Sequence, residues 1–341
     1  MKTGLVQLAA SLTGAHLSRE VSGLPFDDVV IDRVVIDSRQ ITPGCLFVAL
    51  RGDRFDSHDF LADVAAMGAA AVVVEHCPAD FSLPAIVVPD CRAAFGEMGR
   101  YWRSKFSLPV IAVTGSNGKT TVKEMIAAIL QAAVGADAAL ATNGNLNNEI
   151  GVPKTLFRLT DQHRAAVVEL GMNHQGEIAQ LAAMALPLVG VVNNAQREHQ
   201  EFMQSVAAVA EENGAVILSL PPEGIAVFPA GDPYTALWRA YAGQRRVITF
   251  GLAGSGADVS CTYHASEFGS TLEVQLPAPA SVLKIELAAA GEHNVRNALA
   301  AIAACHAIAC STEALVRGLQ SFMPVSGRLQ KKTRSQSGYV D

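Results

Sequence analysis

Short apolar runs alternate with amphipathic stretches through the first hundred residues. The pattern predicts strands at 34–37, 46–50, 71–75 and 85–88, and a helix over 60–68. Strands that alternate with helices in this way are typical of parallel pairing in an α/β fold. A new strand–loop–helix unit begins directly after 105–109, and this segment is therefore the predicted boundary of the first domain.

The same rhythm continues beyond residue 108. The continuous apolar runs predict a second sheet whose strands are covered by helices on both faces. The predicted strands lie at 110–114, 166–170, 188–193, 225–228 and 247–250, with helices between them at, for example, 121–131 and 205–218. The segments 271–276 and 283–287 alternate between apolar and polar residues, which predicts a β-hairpin, and an alanine-rich helix follows over about 294–308.

The length of 341 residues suggests two or three domains. We expect a small first α/β domain at 1–106 and a second domain, with a mostly parallel sheet, at 107–325. A new unit begins after Pro324, and the sequence then stops. The residues 326–341 are therefore predicted to start a third domain that the chain does not continue.

Composition and charge exclude several classes of protein. Half of the residues are hydrophobic and 17% are charged, which excludes disorder for most of the chain. The net charge of −6 and the lack of a basic stripe argue against nucleic-acid binding. No apolar stretch reaches about 20 residues, so no membrane span is expected. The helical spacing of Leu5, Leu8 and Leu12 argues against a secretory signal.

Six cysteines are scattered along the chain without a CxxC pair or a metal-ligand spacing. This usage is typical of reduced, mostly buried thiols in a cytoplasmic protein.

The segment 114–121 follows an apolar strand and opens a predicted helix. It consists of Thr114, Gly115, Ser116, Asn117, Gly118, Lys119, Thr120 and Thr121. Backbone N–H groups in such a glycine-containing turn point towards phosphate oxygens, and the helix N-terminus adds a partial positive charge. Lys119 is expected to reach the outer phosphates and Thr120 to bind Mg²⁺. The alternative is a surface turn with a solvated lysine, since the first glycine of a full Walker motif falls at Val113.

Two further residues are candidate magnesium ligands. Glu169 ends one apolar strand, and His199 follows another. If both strands neighbour the strand before the phosphate loop, Thr120, Glu169 and His199 can converge on Mg²⁺, which needs few protein ligands. The alternatives are a solvated glutamate at the sheet rim and a structural histidine.

The segment 142–148 contains four amides in six positions. These are Asn143, Asn145, Asn147 and Asn148. One interpretation is a turn-rich loop with local side-chain caps. The other is a loop that holds a polar substrate beside the phosphates.

Together these residues resemble the Mur ligase family, the ATP-dependent amide-bond ligases of peptidoglycan synthesis. The resemblance covers nearly the whole chain. It rests on Asp37-Ser38-Arg39, the short phosphate loop, the asparagine-rich segment with 150–153, Glu169-Leu170-Gly171, 291–300 and Gly327-Arg328. The asparagine-rich segment is characteristic of the branch that adds a dipeptide.

The resemblance implies the family's P-loop ATPase domain and a reaction through an acyl phosphate. In that reaction D-alanyl-D-alanine is added to UDP-N-acetylmuramoyl-tripeptide, with ATP and Mg²⁺ as cofactors and a monomeric enzyme. Two alternatives remain open. The chain could be another ligase of the family, such as the folate-polyglutamate or meso-diaminopimelate ligase. It could also be an inactive two-domain fragment that binds nucleotide and UDP-linked peptide without joining them.

The resemblance also implies a role for each matching residue. Lys119 and the loop amides hold the ATP phosphates, and Thr120, Glu169 and His199 organise magnesium. Lys119, Glu169 and His199 are thereby the catalytic candidates. The remaining binding roles fall to Asn294 near adenine, Arg328 near the ribose or phosphates, Ser38 and Arg39 at the uridine nucleotide, and Asn143, Asn145, Asn147 and Asn148 at its peptide.

The chain departs from the family pattern in the helix after His199. The family usually places a lysine there, often carbamylated, whereas this chain has Asn213. An amide cannot be carbamylated. Either Asn213 binds or orients a water, or Glu211 or Glu212 takes over, or these glutamates form a solvated helix face. A smaller departure is Ser57, which stands where glycine is usual.

Overall fold

The computed structural model describes residues 1–18, 25–52, 55–196, 205–277 and 281–323. They form an α/β structure with a small first domain and a larger second domain, which confirms the predicted fold class. The predicted boundary at residue 106 lies between the last helix of the first domain and the first strand of the second. The segment 326–341 lies outside the described residues.

The first domain is built around a short, mostly parallel sheet. Its elements are β1 (Thr3–Gly4), α1 (Leu5–Ala9), β2 (His16–Leu17), β3 (Val30–Ile31), β4 (Arg33–Val35), β5 (Cys45–Val48), α2 (Leu61–Ala66), β6 (Ala71–Val74), β7 (Ala85–Val87) and α3 (Cys91–Arg103). The strand order is β2-β7-β6-β5-β4, with β2 antiparallel to β7 and the other pairs parallel.

The second domain continues the alternation of strands and helices. Its elements are β8 (Val110–Thr114), α4 (Lys119–Val134), β9 (Ala139–Ala141), α5 (Gly151–Leu156), β10 (Ala165–Glu169), α6 (Glu177–Ala185), β11 (Val189–Val192), α7 (Val206–Leu218), β12 (Ile225–Pro229), α8 (Thr235–Ala242), β13 (Arg246–Leu252), β14 (Val259–Ala265), β15 (Ser270–Leu276), β16 (Ser281–Leu287), α9 (Glu292–Ala307) and α10 (Thr312–Ser321).

One large sheet organises this domain, in the order β16-β15-β14-β13-β12-β11-β8-β10-β9. The strands from β9 to β14 are parallel, and β15 and β16 add an antiparallel extension. Apolar side chains of α4, α9 and α10 cover one face, and those of α5 to α8 cover the other. The predicted burial of the sheet on both faces is confirmed.

The sheet order places β8 between β10 and β11. Because chain direction is the same in all three strands, their carboxyl ends meet at one edge of the sheet. Open α/β sheets bind ligands at such a point, where the strand order reverses. The phosphate loop, Glu169 and the residues after β11 are therefore neighbours.

The strand and hairpin predictions are confirmed to within two residues at each end, and 110–114 matches exactly the observed β8. The predicted helix over 60–68 is shorter: a 3-10 turn at Ser57–Phe60 leads into α2, which ends at Ala66. Helices α3 and α10 and strand β14 were not predicted, and neither were the short strands β1, β2, β3 and β9.

Three general observations complete the description. All six cysteines are unpaired thiols, and four of them are buried. Within the described residues, no helix is both long enough and apolar enough to cross a membrane. Ser57, the departure from the family's glycine, lies in the 3-10 turn whose N-cap is Asp56.

Candidate active site

The phosphate loop connects β8 to α4 as a tight turn. The ammonium of Lys119 folds back over this turn and donates hydrogen bonds to the carbonyl oxygens of Gly115, at 2.6 Å, and Ser116, at 3.2 Å. A cation is thus held beside the loop, at the start of a 16-residue helix. Both features attract anions to the same place.

Carboxamide side chains support the loop from behind. Nδ2 of Asn193 donates to the carbonyl oxygen of Asn117, at 2.8 Å, and to Oδ1 of Asn297, at 2.9 Å. Asn194 accepts a hydrogen bond from the Asn117 N–H at 3.0 Å. Gly118 has φ of +78°, and a Cβ there would lie 2.5 Å from Oδ1 of Asn297. Only glycine fits this position without displacing the supporting amides.

Asn213 anchors the start of the loop. Its Oδ1 accepts a hydrogen bond from the Gly115 N–H at 2.8 Å, and its backbone carbonyl accepts one from the Thr114 hydroxyl at 3.2 Å. The side chain is 1% exposed. Asn213 therefore contacts the phosphate loop itself, an arrangement that the sequence did not reveal.

The two neighbouring glutamates differ in their surroundings. The carboxylate of Glu212 accepts hydrogen bonds of 2.8 Å from the N–H groups of Gly176 and Ile178 at the N-terminus of α6. Glu211 is exposed. Glu212 thus caps a helix, and this use of its two oxygens favours a structural role.

Glu169 is the buried carboxylate of the site, with 1% of its surface exposed. Its Oε1 accepts hydrogen bonds from the Thr120 hydroxyl, at 3.2 Å, and from Nδ2 of Asn147, at 2.9 Å. Its Oε2 is buried and has no hydrogen-bond partner among the described residues. A buried carboxylate oxygen normally has a partner, because the loss of its hydration costs free energy.

The surroundings of Glu169 fit a magnesium ion. Thr120 and Glu169 line a cavity of about 400 Å³ that also contains Lys119. A hydroxyl and a carboxylate beside a phosphate site are oxygen ligands of the kind that Mg²⁺ takes, with phosphate and water completing its shell. The described part of the chain contains no group of three or more His, Cys, Asp and Glu placed to hold a metal. His199, the third predicted ligand, lies outside the described residues.

The asparagine-rich segment links Glu169 to α5. Asn147 holds the carboxylate, as given above, and its backbone carbonyl accepts a hydrogen bond from Gly171 at 2.8 Å. Oδ1 of Asn148 accepts one from Gly151 at 2.9 Å and so caps α5. Asn143 and Asn145 are exposed, and Asn145 lines the cavities on both sides of the loop. Asn148 thus acts as a local cap, and substrate binding by the exposed amides stays a prediction.

A larger cavity of about 890 Å³ opens on the other side of the phosphate loop. Asn294 lines it and is held by a hydrogen bond from its Nδ2 to the carbonyl oxygen of Ala290, at 2.8 Å. Asp232 also lines this cavity, and burial raises the pKa of its carboxyl above the usual value. Arg328, which was predicted near the ribose or phosphates, lies outside the described residues.

Ser38 and Arg39 lie in a 3-10 turn after β4, in the first domain. The exposed Arg39 guanidinium donates two hydrogen bonds to Asp37, at 2.9 and 2.7 Å. These hydrogen bonds lower the pKa of Asp37 to about 2. The position of the arginine is thus fixed by a neighbour two residues away.

Sequence reasoning missed four supporting residues. The Asn193-Asn194 pair directly follows β11, so its place at the strand end was a usable signal. Asn297 stood inside the recognised segment 291–300 without a role. Lys123 gave no signal, because a lysine on a helix is usually solvated. It is fully buried, and its ammonium donates to the carbonyl oxygen of Thr142 at 3.0 Å.

Two family models match the chain. The Mur ligase middle domain matches residues 113–305, and the model described as Mur ligase family, catalytic domain, matches residues 30–100. Among curated proteins, the UDP-N-acetylmuramoyl-tripeptide–D-alanyl-D-alanine ligase of Escherichia coli K12 is 41% identical over 321 residues. That match covers 94% of this chain and 70% of the relative.

Solved structures of the same kind superpose on the chain. MurF of Acinetobacter baumannii gives a TM-score of 0.88 at 35% identity, over 98% of this chain and 72% of that chain. MurF of Thermotoga maritima, which was crystallised in complex with ADP, gives a TM-score of 0.78 at 26% identity. That match covers 88% of this chain and 69% of the other.

Proposed function

The chain belongs to the Mur ligase family, and we propose that it is the ligase that joins D-alanyl-D-alanine to UDP-N-acetylmuramoyl-tripeptide in peptidoglycan synthesis. The choice of substrates is supported by the relatives, whose similarity extends over both domains. The substrates are water-soluble nucleotide and peptide, which favours action in the cytoplasm. We expect the enzyme to act as a monomer and to serve cell-wall growth, cell shape and division.

One observation carries the chemistry. Glu169 is a buried carboxylate beside the phosphate loop, held on one oxygen by Thr120 and Asn147 and without a partner on the other among the described residues. Such a carboxylate would be suited to holding Mg²⁺ together with Thr120, where the ion would neutralise charge on phosphate oxygens. A loop that bound phosphate for structural reasons alone would not need it.

The reaction follows from the poor reactivity of a carboxylate. Loss of oxide from carbon is prohibitively unfavourable, so the terminal carboxylate of the tripeptide first attacks the γ-phosphorus of ATP, and ADP leaves. The amine nitrogen of D-alanyl-D-alanine then attacks the carbonyl carbon of the acyl phosphate. The C–O bond to phosphate breaks, inorganic phosphate departs, and the ammonium formed on the new amide nitrogen loses a proton.

The described residues contribute mainly position and charge. Lys119 neutralises the transferred phosphoryl group, and the loop N–H groups orient it. Thr120 and Glu169 would hold Mg²⁺, with His199 as the further predicted ligand. Bound there, Mg²⁺ supplies charge neutralisation for the phosphate oxygens.

The remaining roles complete the proposal. The larger cavity takes the adenosine part of ATP, with Asn294 near adenine and Arg328 near the ribose or phosphates. Ser38 and Arg39 bind the uridine nucleotide, and the exposed amides of the asparagine-rich segment bind its peptide. These two substrate sites belong to different domains.

Phosphate release tests the proposal directly. We expect release that requires Mg²⁺, UDP-N-acetylmuramoyl-tripeptide and D-alanyl-D-alanine together, with the pentapeptide product detected by mass spectrometry. Turnover with a single amino acid or a folate in place of the dipeptide would contradict it. Binding of ATP and the UDP-linked peptide in a calorimeter without any phosphate release would support the alternative of a binding module.

A further inference from the structure

Helix α3 contributes to the cores of both domains. Its residues Cys91, Ala94, Phe95 and Met98 are buried in the core of the first domain. Trp102, one turn later, belongs to the core that lies under the second sheet. Separate domains usually move relative to each other unless a large apolar interface prevents it. A helix that is buried in two cores provides such an interface.

Side-chain hydrogen bonds to backbone carbonyls fix the carboxyl end of α3 to the second domain. The indole N–H of Trp102 donates to the carbonyl oxygen of Leu159 at 3.0 Å. The guanidinium of Arg103 is 6% exposed and donates to the carbonyl oxygens of Ala185, at 3.0 Å, and Leu186, at 3.2 Å. Both of these carbonyls lie at the carboxyl end of α6, where the helix dipole favours a cation.

The same guanidinium also holds the connection between the domains. It donates to the carbonyl oxygens of Phe106 and Leu108, within the segment that joins α3 to β8. Arg103 thus ties three parts of the chain together: its own helix, the interdomain connection and α6. A buried cation with several carbonyl partners is costly to disturb, because every lost hydrogen bond leaves a buried group without a partner.

Close packing fixes the middle of α3. Phe95 contacts Phe157 edge-to-face, with ring centroids 5.4 Å apart. A Cβ on Gly99 would lie 2.9 Å from Cβ and 3.0 Å from Cα of Pro153, a residue of α5. Gly99 therefore permits the approach of the two helices. At the amino end, Arg92 forms an ion pair of 2.7 Å with Glu149, the residue before Ile150 at the start of α5.

Both helices contacted by α3 lead to the catalytic centre. Helix α5 follows Asn147, which holds Glu169. The N-terminus of α6 is capped by Glu212, and the next residue, Asn213, anchors the phosphate loop. The position of α3 is therefore connected to Glu169 through α5 and to Gly115 through α6.

We propose that α3 holds the two described domains together as one rigid unit, and that Gly99 and Arg103 are positioning residues that set the distance between the UDP-substrate site and the phosphate loop. The kinetic part of this inference rests on the proposed function, since it assumes that the tripeptide is bound through the first domain and reacts in the second. Displacement of a reactant by about 1 Å can reduce the rate about 100-fold.

Two substitutions test the coupling. Gly99→Ala places a methyl group against Pro153 and separates α3 from α5, although alanine itself favours a helix. Arg103→Lys keeps the charge but cannot reach four carbonyl groups with one ammonium. The matched controls are Gly4→Ala, where a Cβ meets nothing within 4 Å, and Arg100→Lys, an exposed position on the same helix.

Scanning calorimetry measures the coupling without any assay of function. We expect the unsubstituted chain and both controls to unfold in a single transition that includes both domains. Gly99→Ala and Arg103→Lys should separate it into two transitions. Two transitions in the unsubstituted chain would overturn the proposal. If Arg103→Lys does not fold, Gly99→Ala decides.

Kinetics then distinguish positioning from stability alone. At a temperature where each variant is folded, we expect the KM for UDP-N-acetylmuramoyl-tripeptide to rise and kcat to fall, each about tenfold or more. The dissociation constant of a non-hydrolysable ATP analogue should change less than the KM for the UDP substrate, because its cavity is lined by the second domain alone. A lower Tm with unchanged kcat and KM would overturn the positioning role. Failure of the unsubstituted chain to bind the UDP substrate would instead contradict the proposed function, and the calorimetric comparison would still stand.

Discussion

Nδ2 of Asn147 donates a hydrogen bond of 2.9 Å to Oε1 of Glu169. This contact joins the asparagine-rich segment to a carboxylate that is 1% exposed. It directs one oxygen of Glu169 towards protein donors and leaves the other without a partner among the described residues. The asparagine-rich segment therefore orients the carboxylate of the proposed magnesium site, and its exposed amides are those proposed to bind the peptide.

Asn147→Ala should weaken magnesium binding. Without the amide, Glu169 loses one of the two side-chain donors that orient its carboxylate. Loss of such an outer-shell contact typically lowers metal affinity or activity by about 10- to 100-fold. A titration of phosphate release against Mg²⁺ measures the shift, with the exposed Gln131→Ala as control. An unchanged titration curve would show that Thr120 alone is enough.

The hydroxyl of Thr120 can be tested by two substitutions of similar size. Thr120→Val removes the oxygen that is 3.2 Å from Glu169 and preserves the branched shape. Thr120→Ser keeps the oxygen and loses only a methyl group. We expect Thr120→Val to reduce kcat by about 100-fold, and higher Mg²⁺ concentrations should not restore the activity, because the ligand itself is lost. Thr120→Ser should retain most of the activity. Equal activities of the two variants would exclude a role for the hydroxyl.

Asn213→Ala should destabilise the fold as well as the loop. The substitution leaves the buried Gly115 N–H without its acceptor, a loss that costs about 1–3 kcal/mol. Urea unfolding measures the change in the free energy of unfolding. Glu211→Ala, on an exposed position of the same helix, provides the comparison and should change it by less than about 0.5 kcal/mol. Equal effects of the two substitutions would contradict an anchoring role.

Because position 213 carries an amide, we also expect the turnover rate to be independent of carbon dioxide. A carboxamide nitrogen is too weakly nucleophilic to form a carbamate, and Oδ1 of Asn213 is engaged by the Gly115 N–H. Turnover should therefore be the same in carbon-dioxide-depleted buffer and in buffer with added bicarbonate. A rate that rises with bicarbonate would indicate a carbamylated lysine elsewhere in the chain.

Replacing Asp232 by a neutral residue should raise the stability of the protein by an amount that depends on pH. Burial raises the pKa of this carboxyl, so the folded state holds its proton more tightly than the unfolded state. Stability contributed by the protonated form is present below the unfolded pKa of about 3.9 and is lost as pH rises through the folded pKa. Asp232→Asn should therefore stabilise the protein at neutral pH, and this gain should disappear in acid.

Urea unfolding at both pH values checks that sign. The exposed Asp161→Asn serves as the control, because its carboxyl is solvated. A stabilisation by Asp232→Asn that persists unchanged in acid would assign the effect to packing rather than to charge.

The sequence was sufficient for the elements whose signals are local. The strand at 110–114 and the loop after it were predicted because a continuous apolar run, a glycine turn and a lysine occur in immediate succession. Glu169 was a candidate for the same reason, since it ends a buried strand. Its partners depend on the sheet order, which places β10 directly beside β8.

Helix α3 shows where local signals fail. Its buried positions, including Ala94, Met98 and Trp102, follow helical spacing. Gly96 and Gly99 weaken the helix signal, because glycine has a low helix propensity. The reason for glycine at 99 lies in Pro153, more than fifty residues away, and no short window of sequence contains both.

The side chains that support the phosphate loop are carboxamides, which do not titrate. Asn193, Asn194 and Asn213 neither take up nor release protons under physiological conditions, so their contacts with the loop backbone persist as the surroundings acidify. The amino group of a dipeptide, with a pKa of about 8, loses its nucleophilic form under the same conditions. We therefore expect mild acid to lower turnover by protonating the incoming amine, while the contacts of these three asparagines with the loop stay in place.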